Sequence, residues 1–269
     1  LSPPVLPDEP VVAPPLPRIP ELKPLPPGAL MLSSGLPDAR LFPARQLARA
    51  FRRAIEHKGR VLLTYSQACG HERLRRELAA MLSRTRGLAA TPENLMVTRS
   101  IEQAIDLVAR ALLVPGDVVA VEQWGYPPAW NVLRLAGARL VPLPLDEDGL
   151  DVGSLETLLT HERVRAVFLT PHHQFPTASV MSPERRARLA RLAIERGFAI
   201  IEDDYDHEFH YAAKPVLPIA AGIGRANVVY VGSLSNLLAP GVGAGFVVAA
   251  PNGLLGLFRL LIGAVRVLG

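Results

Sequence analysis

Beyond Pro43 the apolar positions of the chain follow two spacings in turn. Apolar residues recurring every three or four positions predict helices over Arg45–His57, His71–Arg86, Glu102–Leu113, Pro127–Ala136 and Pro183–Arg196. Three of these run into Gly87, Gly137 or Gly197, the residue type that best tolerates the left-handed turn beyond a last helical residue. Between them lie short apolar runs of the length of buried strands: Leu95–Val97, Val118–Val121, Arg139–Pro142, Ala166–Leu169, Ala199–Ile201, Val228–Val231 and Phe246–Ala249. Alternating strands and helices predict an α/β fold with a mainly parallel sheet covered by helices on both faces. No internal repeat of fixed period is visible.

Ligands of such sheets gather beyond the carboxyl ends of the strands. Polar, aromatic and turn-forming residues fall there in this chain: Thr98-Arg99-Ser100, Gln123-Trp124-Gly125-Tyr126, Thr170 to Pro176, Glu202-Asp203-Asp204-Tyr205 and Gly232-Ser233-Leu234-Ser235-Asn236. Several strand ends presenting such groups on one side predict a single site. Gly241-Val242-Gly243-Ala244-Gly245 looks like a dinucleotide loop, but that loop follows a strand and opens a helix, whereas these glycines precede a strand.

Composition alters the picture at the two ends. Eleven of the first 27 residues are proline, which favours extended polyproline geometry and builds no core. Residues 1–27 are therefore expected to be a linker following another domain, a strapped-down arm or a tail, and residues 28–251 the large domain. From residue 252 an apolar segment begins, yet Arg259 and Arg266 interrupt Leu254–Leu268, which suits a core or interface helix better than a membrane span.

The net charge of +4 rests on arginine, since lysine occurs only at Lys23, Lys58 and Lys214. Arginines such as Arg73, Arg75 and Arg76, or Arg185, Arg186, Arg188 and Arg191, read as solvated helix faces and not as a nucleic-acid groove. Cys69 is the only cysteine, which excludes an internal disulfide and a thiolate-rich metal site. The amino terminus has no basic start followed by a continuous apolar segment, so no signal peptide is expected and the location is expected to be cytoplasmic.

Five separated motifs resemble one family in order: Gly35-Leu36-Pro37-Asp38 with Leu41-Phe42-Pro43; Tyr65 followed by Gly70, Leu74 and Arg75; Gly125-Tyr126-Pro127; Thr170 to Thr177; and Ile200 to Phe209. They are similar to the aminotransferase-like domain of MocR-type transcriptional regulators, of the GntR superfamily, from about Ala29 to Ala249. The resemblance implies a fold-type I domain for pyridoxal phosphate, preceded in the family by a proline-rich linker and a winged-helix DNA-binding domain. It further implies that Asp203 pairs with the pyridine nitrogen, Tyr205 bonds the ring hydroxyl, Tyr126 stacks on the ring, His173 lies beside it and Ser233 contacts the phosphate. A carboxylate at the ring nitrogen keeps the ring protonated and lets the cofactor act as an electron sink.

Three positions depart from that pattern. The family's Schiff-base lysine follows Ser-x-Ser, and here Ser233-Leu234-Ser235 leads to Asn236, whose amide forms no imine. Seven residues on, Gly243 stands where the family has a phosphate-binding arginine. At the phosphate-cradling turn the chain carries Ser100, Ile101 and Glu102 in place of glycine, a small residue and glutamine, which sets a carboxylate against the phosphate. Asp203, Asp204, Asp206 and Glu208 offer a metal site as an alternative.

These features predict a non-catalytic effector and dimerisation domain with weak, non-covalent or lost pyridoxal phosphate binding and with no catalytic residue. The competing expectations are a pyridoxal-phosphate-dependent aminotransferase of class I/II and a scaffold whose pocket is filled by its own side chains. The expected partners are a second copy of the chain, to which Tyr65 would contribute across the interface, and a small-molecule effector. DNA would be reached only through a winged-helix domain outside this chain. The family's small carboxy-terminal domain, which supplies an arginine for the substrate carboxylate, is expected to be largely absent.

Overall fold

The computed structural model describes residues 38–64, 68–209, 216–238 and 240–250. The proline-rich stretch 1–27, Gly35-Leu36-Pro37, Tyr65, Lys214 and the segment 252–269 lie outside the described residues.

The first helices are α1 (Ala44–Leu62) and α2 (Glu72–Arg86), followed by β1 (Leu95–Thr98), α3 (Ile101–Leu112), β2 (Val118–Glu122), α4 (Pro127–Leu135) and β3 (Arg139–Leu143). A small hairpin, β4 (Leu145–Asp146) with β5 (Gly149–Leu150), leads into α5 (Val152–His161). Then come β6 (Val164–Leu169), α6 (Pro183–Arg196), β7 (Ala199–Asp204), β8 (Val228–Ser233) and β9 (Gly245–Val248). The hairpin and α5 were not visible in the periodicity. Asp151 caps α5 by accepting from the backbone N–H groups of Gly153 and Ser154, which offsets the poor helix propensity of Gly153.

Seven strands form one sheet in the order β1-β9-β8-β7-β6-β2-β3. The ladders from β8 to β3 are parallel, and β9 is antiparallel to both of its neighbours. Alternate residues of each central strand face opposite sides, as the two-residue period requires. On β6 and β7, Ala166, Phe168 and Ile201 pack with Ala104, Ile105 and Val108 of α3 and with Ala129 and Leu133 of α4. Val167, Leu169 and Ile200 pack on the other side with Leu155 of α5 and Leu189 and Ala193 of α6. Helices thus cover both faces, as the alternation predicts. Among the described residues no helix is long and apolar enough to cross a membrane.

The largest extension beyond an expected strand is in β7. Its apolar run ends at Ile201, yet Asp203 and Asp204 continue the ladder opposite Val231 and Gly232 of β8. Three carboxylates, Glu202, Asp203 and Asp204, are thereby buried at the end of a central strand.

Candidate functional site

The parallel arrangement brings the carboxyl ends of β2, β6, β7 and β8 to one edge of the sheet. β1 runs the same way, because it and β8 both lie antiparallel to β9. The turn after β1, with Ser100 capping α3, therefore joins the other strand ends. Tyr126, His173, Asp203, Tyr205, Ser233 and Asn236 all lie at this edge, each just beyond or on the last residues of its strand.

Several of them meet. The Tyr126 hydroxyl donates to Glu102 Oε1 at 2.8 Å, tying the start of α4 to the start of α3. Tyr126 meets Phe175 edge to face at 5.7 Å between ring centroids, and Phe175 meets Tyr205 in the same way at 6.3 Å. Asn236 Nδ2 donates to the Tyr205 carbonyl at 3.1 Å. His173 Nδ1 bonds Asp206 Oδ2 at 2.8 Å. Ser233 is turned toward its own loop, where its hydroxyl donates to Ser235 Oγ and accepts from the Ser235 backbone.

Asp203 is almost fully buried, and its Oδ1 has no hydrogen-bond partner. Burial pushes its carboxyl well above the usual range, and the neighbouring carboxylates Asp204, Glu122, Glu102 and Asp206 push it the same way. Glu102 behaves differently. Burial raises it, but hydrogen bonds with Ser100, Tyr126 and its own backbone outweigh burial and leave it below its ordinary value.

The glycines of the 241–245 turn close the far side. Gly243 has φ +59°, and a Cβ there would lie 2.9 Å from the Arg99 carbonyl oxygen. A Cβ on Gly245 would lie 2.5 Å from the Ser100 carbonyl oxygen. An arginine at position 243 would thus need both a strained backbone and a shifted turn.

Behind the site, Asp204 Oδ2 accepts from the Tyr230 hydroxyl and from His207 Nδ1 at 2.9 Å, and Arg86 lies 3.8 Å away. Burial alone would raise Asp204, yet the His207 hydrogen bond and the Arg86 and His207 charges hold it down at about 2. Arg86 also donates to Tyr230 and Glu208. Nothing in local spacing announces this network, since Arg86 reads as the last residue of a solvated helix. His172, Asp204 and His207 are the one set of ligand atoms close enough to hold a metal ion among the described residues. Asp203, Asp206 and Glu208 do not join it, and the guanidinium beside Asp204 disfavours a second cation there.

The chain belongs to the aminotransferase class I and II family, whose model matches residues 29–265. It is 36% identical over 241 residues to 2-aminoadipate transaminase of Thermus thermophilus, covering 88% of this chain and 59% of that protein. It is also 35% identical over 227 residues to the probable rhizopine catabolism regulatory protein MocR of Rhizobium meliloti, covering 84% of this chain and 45% of that protein. Among solved structures it is similar to α-aminoadipate aminotransferase of Thermus thermophilus complexed with N-(5'-phosphopyridoxyl)-L-leucine, with a TM-score of 0.79 and 33% identity over 87% of this chain and 59% of that one. The kynurenine aminotransferase of Pyrococcus horikoshii, in complex with PMP, gives 0.81 and 29% over 87% and 59%. Enzymes and regulators therefore stand at similar distance, and the chain spans about half to three-fifths of the length of these relatives.

Proposed function

We propose that this chain is a non-catalytic effector and dimerisation domain of a MocR-like transcriptional regulator. The observation that carries the proposal is Asn236. Its amide is engaged with the Tyr205 carbonyl at the position where the family resemblance calls for the imine-forming lysine. An amide nitrogen has no basic lone pair with which to attack an aldehyde.

The phosphate end supports the same reading. Glu102 places an ionised carboxylate at the start of α3, and the Gly243 and Gly245 contacts leave no space for an arginine in the facing turn. The residues present do not fit a phosphorylated, imine-linked cofactor. Dimerisation is supported by α1, which buries none of its residues and leaves Phe51 68% exposed on an amphipathic helix. The similarity to the Thermus transaminase favours a second reading, an aminotransferase, and the family resemblance assigns Tyr126, Asp203 and Tyr205 to the cofactor ring.

Absorbance after adding pyridoxal phosphate separates the two. The parent chain is expected to show no visible imine band. Asn236→Lys is expected to show one only at high cofactor concentration and to transfer no amino group, because a missing charge-assisted phosphate contact costs about 1.5–3 kcal/mol, or about ten- to more than a hundredfold in affinity. Tight binding with turnover by Asn236→Lys would establish the aminotransferase reading instead.

A further inference from the structure

We infer that the arginine face of α1 lies along the phosphate backbone of duplex DNA, so that this chain touches DNA without reading its sequence, in addition to any contact made through a winged-helix domain. The inference deepens the regulator reading above and rests on it for the identity of the polyanion.

The distribution of charge singles out α1. The whole chain carries +4, and α1 holds Lys58 and five arginines against one carboxylate, Glu56, a formal +5 that leaves the rest of the chain at −1. The excess is also ordered. At about 100° per residue, Arg45, Arg49, Arg52, Arg53 and Arg60 fall within one sector about 100° wide, with Leu47, Phe51, Ile55 and Leu62 on the other side.

Nothing in the fold balances that sector. All five arginines are exposed, and among the described residues none of them has an ion pair. Elsewhere the exposed helix faces are compensated: Arg110 of α3 has Asp106, and Arg185 and Arg188 of α6 have Asp146 and Glu156. Arg45, Arg49 and Arg53 follow one another at four-residue spacing, where like charges destabilise a helix. An anion from outside the chain relieves that repulsion.

Length favours a long polyanion. From Arg45 to Arg60 the helix rises about 22 Å, the axial length of about six phosphates along one DNA strand. A small anion reaches only neighbouring arginines and leaves the rest of the row unpaired. A lipid surface fits less well, because a helix lying on a bilayer buries its apolar side, and the side of α1 that carries Phe51 is the one assigned above to a second copy. The arginine side stays open when that side is covered, so both partners can be held together. In sequence α1 follows the proline-rich stretch, which in the family resemblance joins the domain to a DNA-binding domain. A weak contact so placed adds to a specific one through effective concentration.

The test is fluorescence anisotropy of a labelled duplex of arbitrary sequence, about 20 base pairs long, titrated with the full chain at salt concentrations from about 50 to about 200 mM. Binding in the micromolar range is expected at the low end, falling with salt and indifferent to sequence. The triple variant Arg45→Gln/Arg49→Gln/Arg52→Gln changes only exposed positions, and circular dichroism checks its fold. It should weaken binding by about tenfold or more at low salt and shrink the slope of log affinity against log salt by about 2.7 for each helix engaged. Arg188→Gln/Arg191→Gln/Arg196→Gln removes the same charge from exposed positions of α6 and should leave that slope unchanged. The inference is overturned if the two triple variants weaken binding equally, or if the duplex fails to bind at about 50 mM salt, whether or not phosphatidylserine vesicles bind in its place. The regulator reading fails separately, by an imine band with pyridoxal phosphate in the parent chain.

Discussion

Glu122→Gln isolates the effect of a buried carboxylate at the end of β2. Glu122 is 2% exposed; its Oε2 accepts from the Thr170 hydroxyl at 2.9 Å and from the Thr170 N–H at 3.2 Å, while Oε1 has no partner. Burial pushes it from an ordinary 4.5 up to about 7, against the opposing hydrogen bonds of Thr170 and Gln174. In the window between those values the folded chain holds a proton that the unfolded chain has released. The stability contributed by the protonated group is therefore full below the unfolded value and is lost as pH rises through the folded one. Between about pH 5.5 and about pH 8 that loss amounts to about 2 kcal/mol.

Glutamine removes the titration. Its carbonyl oxygen can take the Thr170 bonds, while its NH₂ faces the side where Oε1 is unpartnered, at a cost of about 1 kcal/mol. The variant should match the parent near about pH 5.5 and exceed it by about 2 kcal/mol near about pH 8. Urea denaturation followed by circular dichroism at both pH values measures this. A parallel decline of parent and variant with rising pH, or a variant less stable at the higher pH, would refute the reasoning. Glu202, also pushed up to about 7 by burial, supplies the slope that remains in the variant.

Two further outcomes concern the scaffold. Arg86→Met should destabilise the chain by about 3–5 kcal/mol, because it strands buried Asp204 without its cation; a loss below about 1 kcal/mol in urea denaturation would show that Tyr230 and His207 satisfy Asp204 on their own. Ala178 has φ 60°, left-handed backbone that glycine adopts without strain. Ala178→Gly should thus stabilise by about 1 kcal/mol, and an unchanged or lower melting temperature would contradict this.

Much of the fold was legible in local pattern. The helix predicted over Pro183–Arg196 has those bounds, with Ser182 before it and left-handed Gly197 after it. Each of the seven apolar runs became a strand of the main sheet, because burial on both faces demands continuous apolar sequence. What escaped were elements whose stability is not periodic: the β4–β5 hairpin, too short to show alternation, and α5, which carries Gly153 in its first turn behind a capping aspartate. The candidate site residues were legible as types at strand ends, since strand ends in a parallel sheet are where polar groups can stand free of the ladder.

By itself, then, the sequence determined the elements, the edge on which chemistry would gather and the absence of a lysine after Ser235. Only the tertiary structure decided the insertion of β9 between β1 and β8, and with it the closure of the Gly243 turn against Arg99. It also decided which polar groups meet: Tyr126 with Glu102, Asn236 with the Tyr205 carbonyl, and Arg86 with Tyr230 across the core. Periodicity records only which side of its own element a residue faces. Partners far apart in sequence are chosen by packing and by the demand that each polar group removed from water find a counterpart, a demand that Asp203 leaves unmet.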